Sequence, residues 1–159
     1  MTQDHRDWFE RTMGEWRSER RYTYFGPGQK VKAQTLITTF FEIGWTSEPE
    51  MKIAWDSYMN RDFKNTLPEQ PTTHGEMLLT LDGDKLLRNK GYFTDNETHQ
   101  QIERIDQDAL ELFTSYDGCT YREEIRLLDN DCLRLRQTVG FDDHTGELIL
   151  SGQYTEVRL

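Results

Sequence analysis

Cysteine is scarce in this sequence, and its two cysteines, Cys119 and Cys132, lie 13 positions apart. They form no CxxC pair and no cluster with histidine, so their spacing predicts neither a zinc site nor a disulfide framework. The chain also lacks a recognisable nucleophile–base pair, a phosphate-binding loop and a G-x-G-x-x-G fingerprint. We therefore expect no metal and no nucleotide cofactor.

Positive charge and long apolar runs are scarce too. The chain has 19 Lys and Arg against 29 Asp and Glu, which gives a formal net charge of −10. Phosphate backbones bind basic surfaces, so this balance argues against nucleic acid as a partner. No apolar run approaches the roughly 20 residues of a membrane-spanning helix. The first residues have no apolar segment typical of a signal peptide, and we expect a soluble, cytoplasmic protein.

Aromatic residues, by contrast, make up 12% of the chain and recur in strand-like segments. A length of 159 residues predicts a single domain, residues 1–159. Residues 4–16 are predicted as the one helix, because Trp8, Phe9, Met13 and Trp16 fall near one side of it. This apolar stripe suits a helix that lies across one end of a barrel.

Beyond the helix, the hydrophobic period changes from 3.6 to 2. Short Asp, Asn and Gly clusters separate the strand-like segments, and such residues are typical of hairpin turns. A meander of this size has edge strands to protect, and closure into a barrel removes them. The predicted fold is therefore all-β, a ten-stranded antiparallel up-and-down barrel with an N-terminal α-helix. The predicted strands are 18–25, 30–43, 51–59, 76–81, 85–93, 98–105, 109–116, 121–128, 132–141 and 147–158.

The last three strands carry most of the candidate functional residues. Alternation puts Arg134 and Arg136 on one face of their strand and Leu133, Leu135 and Val139 on the other. The same rule places Glu156 with Arg158, and Glu124 opposite Ile125. The predicted charged face consists of Glu124, Arg134, Arg136, Glu156 and Arg158.

Two interpretations of this charged face remain open. It is either the solvated face of an antiparallel sheet, with paired charges, or the lining of a cavity. Arginines suit a ligand with two carboxylates, because a guanidinium fork matches a carboxylate. If Trp55 also lines the cavity, a flat conjugated ligand fits better than a fatty acid.

One further pair favours a closed barrel. Gly14 and Trp16 form a G-x-W at the entry to the first strand, and Arg158 ends the last strand. In lipocalin-like barrels, a tryptophan so placed packs under an arginine from the final strand. We expect Trp16 and Arg158 to close the base of the barrel in this way.

Five segments, in order and at similar spacing, resemble the S-type phycobiliprotein lyases, the CpcS/CpeS family. Residues 14–20 (GEWRSER) resemble its G-x-W-x-S-x-R opening, and residues 86–92 (LLRNKGY) are similar to its LLRDKGY segment. Residues 110–125 resemble its L-x-L-x-T … E-E-x-I stretch. Residues 133–139 (LRLRQTV) are similar to LRLRTSV, with Gln-Thr in place of Thr-Ser, and residues 153–158 (QYTEVR) resemble F-x-S/T-E-I-R.

The resemblance implies an enzyme that binds a free phycobilin, an open-chain tetrapyrrole, and attaches it to a cysteine of an apo-phycobiliprotein α or β subunit through a thioether bond. The bilin, phycoerythrobilin or phycocyanobilin, is then a substrate and not a prosthetic group. The acceptor supplies the thiolate, so Cys119 and Cys132 need no catalytic role. The implied catalytic residues are Glu124 and Arg20, and the implied bilin-binding residues are Trp55, Arg134, Arg136, Thr138, Glu156 and Arg158.

An alternative function is a lipocalin-like carrier that binds a bilin or a similar small ligand without catalysing its attachment. The sequence leaves open which bilin binds, which subunit accepts it and whether the barrel is a homodimer. It also leaves open whether Arg158 touches the ligand or only closes the barrel, and whether the source is a cyanobacterium, its phage or a plastid.

Overall fold

The computed structural model describes residues 4–60, 67–89 and 97–159. A short helix precedes ten strands in chain order. The elements are α1 (Arg6–Arg11), β1 (Gly14–Gly26), a 3₁₀ turn (Pro27–Gln29), β2 (Lys30–Ser47), β3 (Glu50–Met59), β4 (Thr73–Asp82), β5 (Lys85–Arg88), β6 (Thr98–Arg104), β7 (Ala109–Tyr116), β8 (Cys119–Leu128), β9 (Leu133–Asp142) and β10 (Leu148–Arg158).

Each strand pairs antiparallel with the next along the chain, and β1 pairs with β10 to close the barrel. This confirms the predicted ten-stranded up-and-down barrel with an N-terminal helix. The predicted strand 85–93 ends earlier, at Arg88, and its part from residue 90 onward lies outside the described residues. None of the helices in the described part of the chain is long and apolar enough to cross a membrane.

The helix is shorter than predicted. It ends after Arg11, and the hydroxyl of Thr12 donates to the carbonyl of Phe9 at 2.7 Å. Gly14 then has φ +125°, a backbone conformation that residues other than glycine rarely adopt. Strand β1 begins at this residue. The predicted helix of residues 4–16 is therefore wrong at its end, because Trp16 is already part of a strand.

The helix packs across the base of the barrel. Trp8 and Phe9 join a buried apolar cluster with inward residues of the strands, among them Met51, Leu79 and Leu110. The indole of Trp8 donates to the carbonyl of Asp108 at 2.9 Å, which ties the helix to the opposite wall. Burial of this apolar surface stabilises this end of the barrel.

Trp16 and Arg158 close the base as predicted. The guanidinium carbon of Arg158 lies 4.4 Å from the centre of the Trp16 ring. Its nitrogens donate to the carbonyls of Arg11, Met13 and Asp131. Arg158 therefore joins the helix, the β8–β9 turn and the last strand, and all these contacts lie at the closed end.

Replacing Arg158 by lysine is expected to lower the free energy of unfolding by about 2–4 kcal/mol, because an ammonium cannot reach three carbonyls or stack on Trp16. The matched control is Arg17→Lys, since Arg17 pairs with Glu19 at 2.8 Å on the exposed outer face, where such pairs contribute under about 1 kcal/mol. Urea unfolding of both variants measures the difference. Equal stabilities would contradict the closing role.

Candidate functional site

The predicted charged face turns inward, into the barrel. Arg134 and Arg136 are each 5% exposed and Glu156 is fully buried. The apolar residues of the same strands face outward, with Leu135 39% and Val157 48% exposed. Of the two interpretations left open by the sequence, the solvated sheet face is therefore wrong, and these residues line the interior.

The placement of Glu124 on this face is wrong. Glu123 is the inward carboxylate, 2% exposed, and Glu124 lies on the outer side of β8. Inward side chains on β8 are Tyr121, Glu123, Ile125 and Leu127, so Ile125 shares the face of the charged residues instead of opposing it. Because two glutamates are adjacent, a carboxylate faces inward whichever set of alternate residues of β8 is placed inside. The alternation of Ile125 and Leu127 with polar residues indicates which set that is.

The inward charges form one continuous network. Arg134 donates through Nε to Oε1 of Glu156 at 2.7 Å, and Nη1 of Arg136 lies 3.4 Å from Oε2 of the same carboxylate. Arg136 also donates twice to Oε1 of Glu123, from Nη2 at 2.7 Å and from Nε at 3.2 Å. Arg20 approaches Glu156 from β1, at 3.5 Å. Glu156 is thus the common partner of three guanidinium groups.

This arrangement keeps Glu156 ionised. Burial alone would raise its pKa, but Arg134, Arg136 and Arg20 lower the pKa of Glu156 to about 2, from an ordinary value of 4.5. A carboxylate in the barrel interior would otherwise be protonated, because desolvation disfavours the charged form. The three arginines therefore keep a buried glutamate charged.

Aromatic rings enclose the network. The guanidinium of Arg134 lies 5.5 Å from the centre of the Trp16 ring and 5.1 Å from that of Phe41. Tyr154 lies between two other arginines, with Arg136 at 4.5 Å and Arg20 at 5.0 Å from its ring centre. These cation–π contacts fix the planes of the guanidinium groups, so their orientation is set by the protein alone.

The remaining predicted residues fall in three places. Arg20 points inward and donates to the hydroxyl of Ser18 at 2.9 Å. Thr138 is buried beside the network and donates to the hydroxyl of Tyr154 at 3.3 Å. Trp55 is half-buried on the inner face of β3, on another part of the barrel wall. Arg158 lies at the base, on the Trp16 ring that Arg134 also contacts.

Two further interior features had no sequence-based prediction. Tyr154 stands at the centre of the network, and its place between Glu156 and Gly152 on an alternating strand was the available signal. The second is Arg88 on β5, which is buried and donates through Nε to Gln100 at 2.6 Å. No spacing in the sequence singles out Arg88, because β5 has only four residues and its inward face is defined by its pairing with β4 and β6.

The described interior above the base is positively charged. Four arginines point into it, namely Arg20, Arg88, Arg134 and Arg136, against the two carboxylates Glu123 and Glu156. This leaves an excess of two positive charges in a protein whose net charge is −10. Within the described ranges, no group of three His, Cys, Asp or Glu residues has the geometry to hold a metal ion.

Comparison with known proteins gives relatives along nearly the whole chain. One, from Nostoc sp., carries the name phycocyanobilin lyase CpcS 2 and is 27% identical over 164 residues, which covers 96% of this chain and 89% of the relative. Another, from Picosynechococcus sp., carries the name chromophore lyase CpcV and is 25% identical over 163 residues, covering 95% of this chain and 79% of the relative.

The fold is shared with solved structures. The S-type phycobiliprotein lyase CPES from Guillardia theta superposes with a TM-score of 0.68 at 18% identity, covering all of this chain and 93% of that one. A Nostoc punctiforme protein of unknown function from the DUF3598 family superposes with a TM-score of 0.62 at 16% identity, covering 95% of this chain and 48% of that one. The model of the CpeS-like protein family matches residues 44–159. This chain therefore belongs to the CpeS-like family, as its sequence motifs predict.

Proposed function

We propose that this protein is a bilin lyase that binds a free phycobilin in the barrel and attaches it to a cysteine of an apo-phycobiliprotein subunit. Relatives named as lyases support the reaction class. The observation that carries the proposal is the excess of two positive charges in the described interior, from Arg20, Arg88, Arg134 and Arg136 against Glu123 and Glu156. An open-chain tetrapyrrole carries two propionates, so its charge matches that excess.

The arginines are expected to hold the propionates. Cation–π contacts and the bonds to Glu156 fix the guanidinium groups before a ligand arrives, which reduces the entropy lost on binding. Burial also strengthens a charge-assisted hydrogen bond relative to one at the surface. Thr138 and Trp55 would contact the conjugated part of the same ligand.

Glu123 takes the catalytic role that the sequence motif suggested for Glu124. The two hydrogen bonds that Arg136 donates to Glu123 both end on Oε1, so Oε2 is the oxygen proposed to accept from a pyrrole N–H. A carboxylate there stabilises the protonated bilin, which makes the ring-A ethylidene group more electrophilic. The thiolate of the acceptor then adds to that group, so that a C–S bond forms, the C=C π bond is lost and a proton ends on the neighbouring ring carbon. The addition consumes no oxidant or reductant.

The identity of the bilin, the acceptor subunit and the location in the cell are part of the same proposal. Phycocyanobilin and phycoerythrobilin are both candidate substrates, and an α or β subunit is the acceptor. The cytoplasm of a cyanobacterium is the proposed location, and the homodimer stays a prediction. No prosthetic group is needed for the addition described above.

The direct test mixes the purified protein with phycocyanobilin or phycoerythrobilin and then adds an apo-phycobiliprotein subunit. We expect a red-shifted complex with at least one bilin, followed by a subunit band that is fluorescent with zinc after denaturing electrophoresis. A red shift without a covalent band would favour the carrier instead. The absence of any spectral change with both bilins would contradict bilin binding itself.

Binding should also depend on the propionates. The dimethyl ester of phycocyanobilin has the same conjugated system but no carboxylates, and we expect it to bind about 100-fold more weakly, because charge-assisted hydrogen bonds to the arginines are lost. An absorbance titration of acid and ester against the same protein measures the ratio. Equal dissociation constants would mean that the arginines do not hold carboxylates.

A further inference from the structure

Three inward-facing glycines of the barrel are covered by aromatic rings: Gly152, where an added Cβ would lie 3.1 Å from Cε2 of Tyr154, and Gly75 and Gly140, where the approach is closer still. A Cβ added at Gly75 would lie 2.9 Å from Cζ2 of Trp55 and 3.3 Å from Cε2 and Cη2. A Cβ added at Gly140 would lie 2.8 Å from Cε1 and 2.9 Å from Cδ1 of Tyr121. Real side chains do not approach so closely, so each ring occupies the space that a side chain would fill. Both rings therefore lie against the wall instead of projecting into the interior.

At Gly75 and Gly140 the ring and its glycine are cross-strand partners. Trp55 on β3 pairs with Gly75 on β4, and Tyr121 on β8 pairs with Gly140 on β9. In the closed order of the barrel, β8 lies five strands from β3 in either direction, and β9 is related to β4 in the same way. The two ring–glycine pairs therefore face each other from opposite walls.

The pairing register also puts them at the same level. Each residue can be traced to its paired residue on the next strand. Traced from Tyr121 through β7, β6 and β5, this row of paired residues reaches Leu81 on β4. The amide of Leu81 donates to the carbonyl of Pro49, just before β3. Traced the other way, through Gly140, the row reaches Ala33, four residues before the Ile37 that pairs with Met59 at the end of β3. Because the strands of a barrel tilt, a row of paired residues rises along the barrel axis in one direction around the barrel and falls in the other. The true height of Tyr121 therefore lies midway between the two points reached on β3. That midpoint is next to Trp55.

Neither ring is fully buried. Trp55 and Tyr121 are half-buried, unlike the fully buried rings of Trp8 and Trp16 at the base. Tyr116 stacks on Tyr121 with ring centres 5.0 Å apart and extends that plate toward the strand ends. The space between the two walls is thus bounded by aromatic surfaces on both sides.

We propose that Gly75 and Gly140 set the width of the ligand space, by letting Trp55 and Tyr121 lie against opposite walls, and so determine the specificity for a conjugated tetrapyrrole. This inference rests on the proposed function, because it assigns the specificity of the same bilin site. Glycine weakens a strand and gives it no side chain to pack, so a glycine under an aromatic ring indicates a need for close approach. A methyl group at either position would drive its ring inward and narrow the space.

The test replaces each glycine by alanine in the full-length protein and measures phycocyanobilin binding by absorbance. We expect Gly140→Ala and Gly75→Ala each to weaken binding about tenfold or more, because overpacking must be relieved by the ring. The control is Gly44→Ala, a strand glycine with nothing within 4 Å of its added Cβ, which should bind as the unmodified protein does. Thermal unfolding of all three variants shows whether they fold.

The double variant Gly140→Ala with Tyr121→Ala removes the ring that would be displaced. If crowding by the ring is the cause, the double variant should bind phycocyanobilin less than about twofold more weakly than Tyr121→Ala alone. This comparison can be made even if Gly140→Ala alone unfolds. Unchanged binding by both glycine variants, or an equal loss with and without the Tyr121 ring, would overturn the proposal. Failure of the unmodified protein to bind bilin would instead overturn the proposed function.

Discussion

Glu156→Gln is expected to destabilise the barrel by about 3–5 kcal/mol, the typical cost of leaving buried charges without their partner. The variant keeps the shape of the side chain but leaves Arg134, Arg136 and Arg20 around a neutral amide. Urea unfolding at neutral pH measures the loss. The matched control is Glu103→Gln, because Glu103 lies on the exposed face of β6, and this variant should be as stable as the unmodified protein.

The same carboxylate predicts a defined pH dependence. The pKa of Glu156 is about 2 in the folded barrel and 4.5 ordinarily, so the unfolded chain binds the proton more tightly. Its stabilising contribution, about 3 kcal/mol for a shift of this size, is complete above about pH 4.5 and is lost as the pH falls toward about 2. Stability should therefore fall more steeply in this window for the unmodified protein than for Glu156→Gln. Parallel curves would contradict an ionised Glu156.

Glu123→Gln should lower the rate of bilin transfer about 100-fold, and Glu124→Gln should change it less than twofold. The two residues are adjacent and chemically identical, but Glu123 faces the network from within the barrel and Glu124 faces outward. Losing a positioned carboxylate that stabilises a proton typically costs at least this factor. Zinc fluorescence of the acceptor subunit, sampled over time with each variant, measures the rates.

Binding should separate a catalytic effect from loss of the fold. Glutamine still accepts a hydrogen bond from Arg136, so Glu123→Gln is expected to bind phycocyanobilin but with a smaller red shift, because the protonated bilin is no longer stabilised. A large loss of transfer with Glu124→Gln, and none with Glu123→Gln, would show that the inward carboxylate has no part in the reaction.

The sequence predicted the network well where alternation was unambiguous. The Leu-Arg-Leu-Arg pattern of β9 assigns Arg134 and Arg136 to one face whatever lies around them, and the spacing of Glu156 and Arg158 does the same for β10. The inversion, with arginines inside and leucines outside, follows only from barrel closure. Local periodicity cannot say which face of a sheet is the interior.

Other features depend on tertiary structure. The end of α1 depends on Gly14, which lies close to Arg158, a residue near the other end of the chain. The adjacent glutamates concealed which residues of β8 face inward. The inward orientation of Arg88 depends on the place of β5 in the closed barrel. The opposition of Trp55 and Tyr121 needs the register of every strand between them. Such relations are properties of the closed sheet and not of any segment.

The most direct test of the central claim is a single-turnover transfer. The barrel is loaded with one equivalent of phycocyanobilin, freed of unbound bilin and mixed with an apo-phycobiliprotein subunit, and the modified cysteine is mapped by mass spectrometry. A lyase of the proposed kind predicts one modified cysteine and a rate well above that of free bilin with the same subunit. The same rate and the same mixture of adducts as with free bilin would mean that the barrel only releases its ligand.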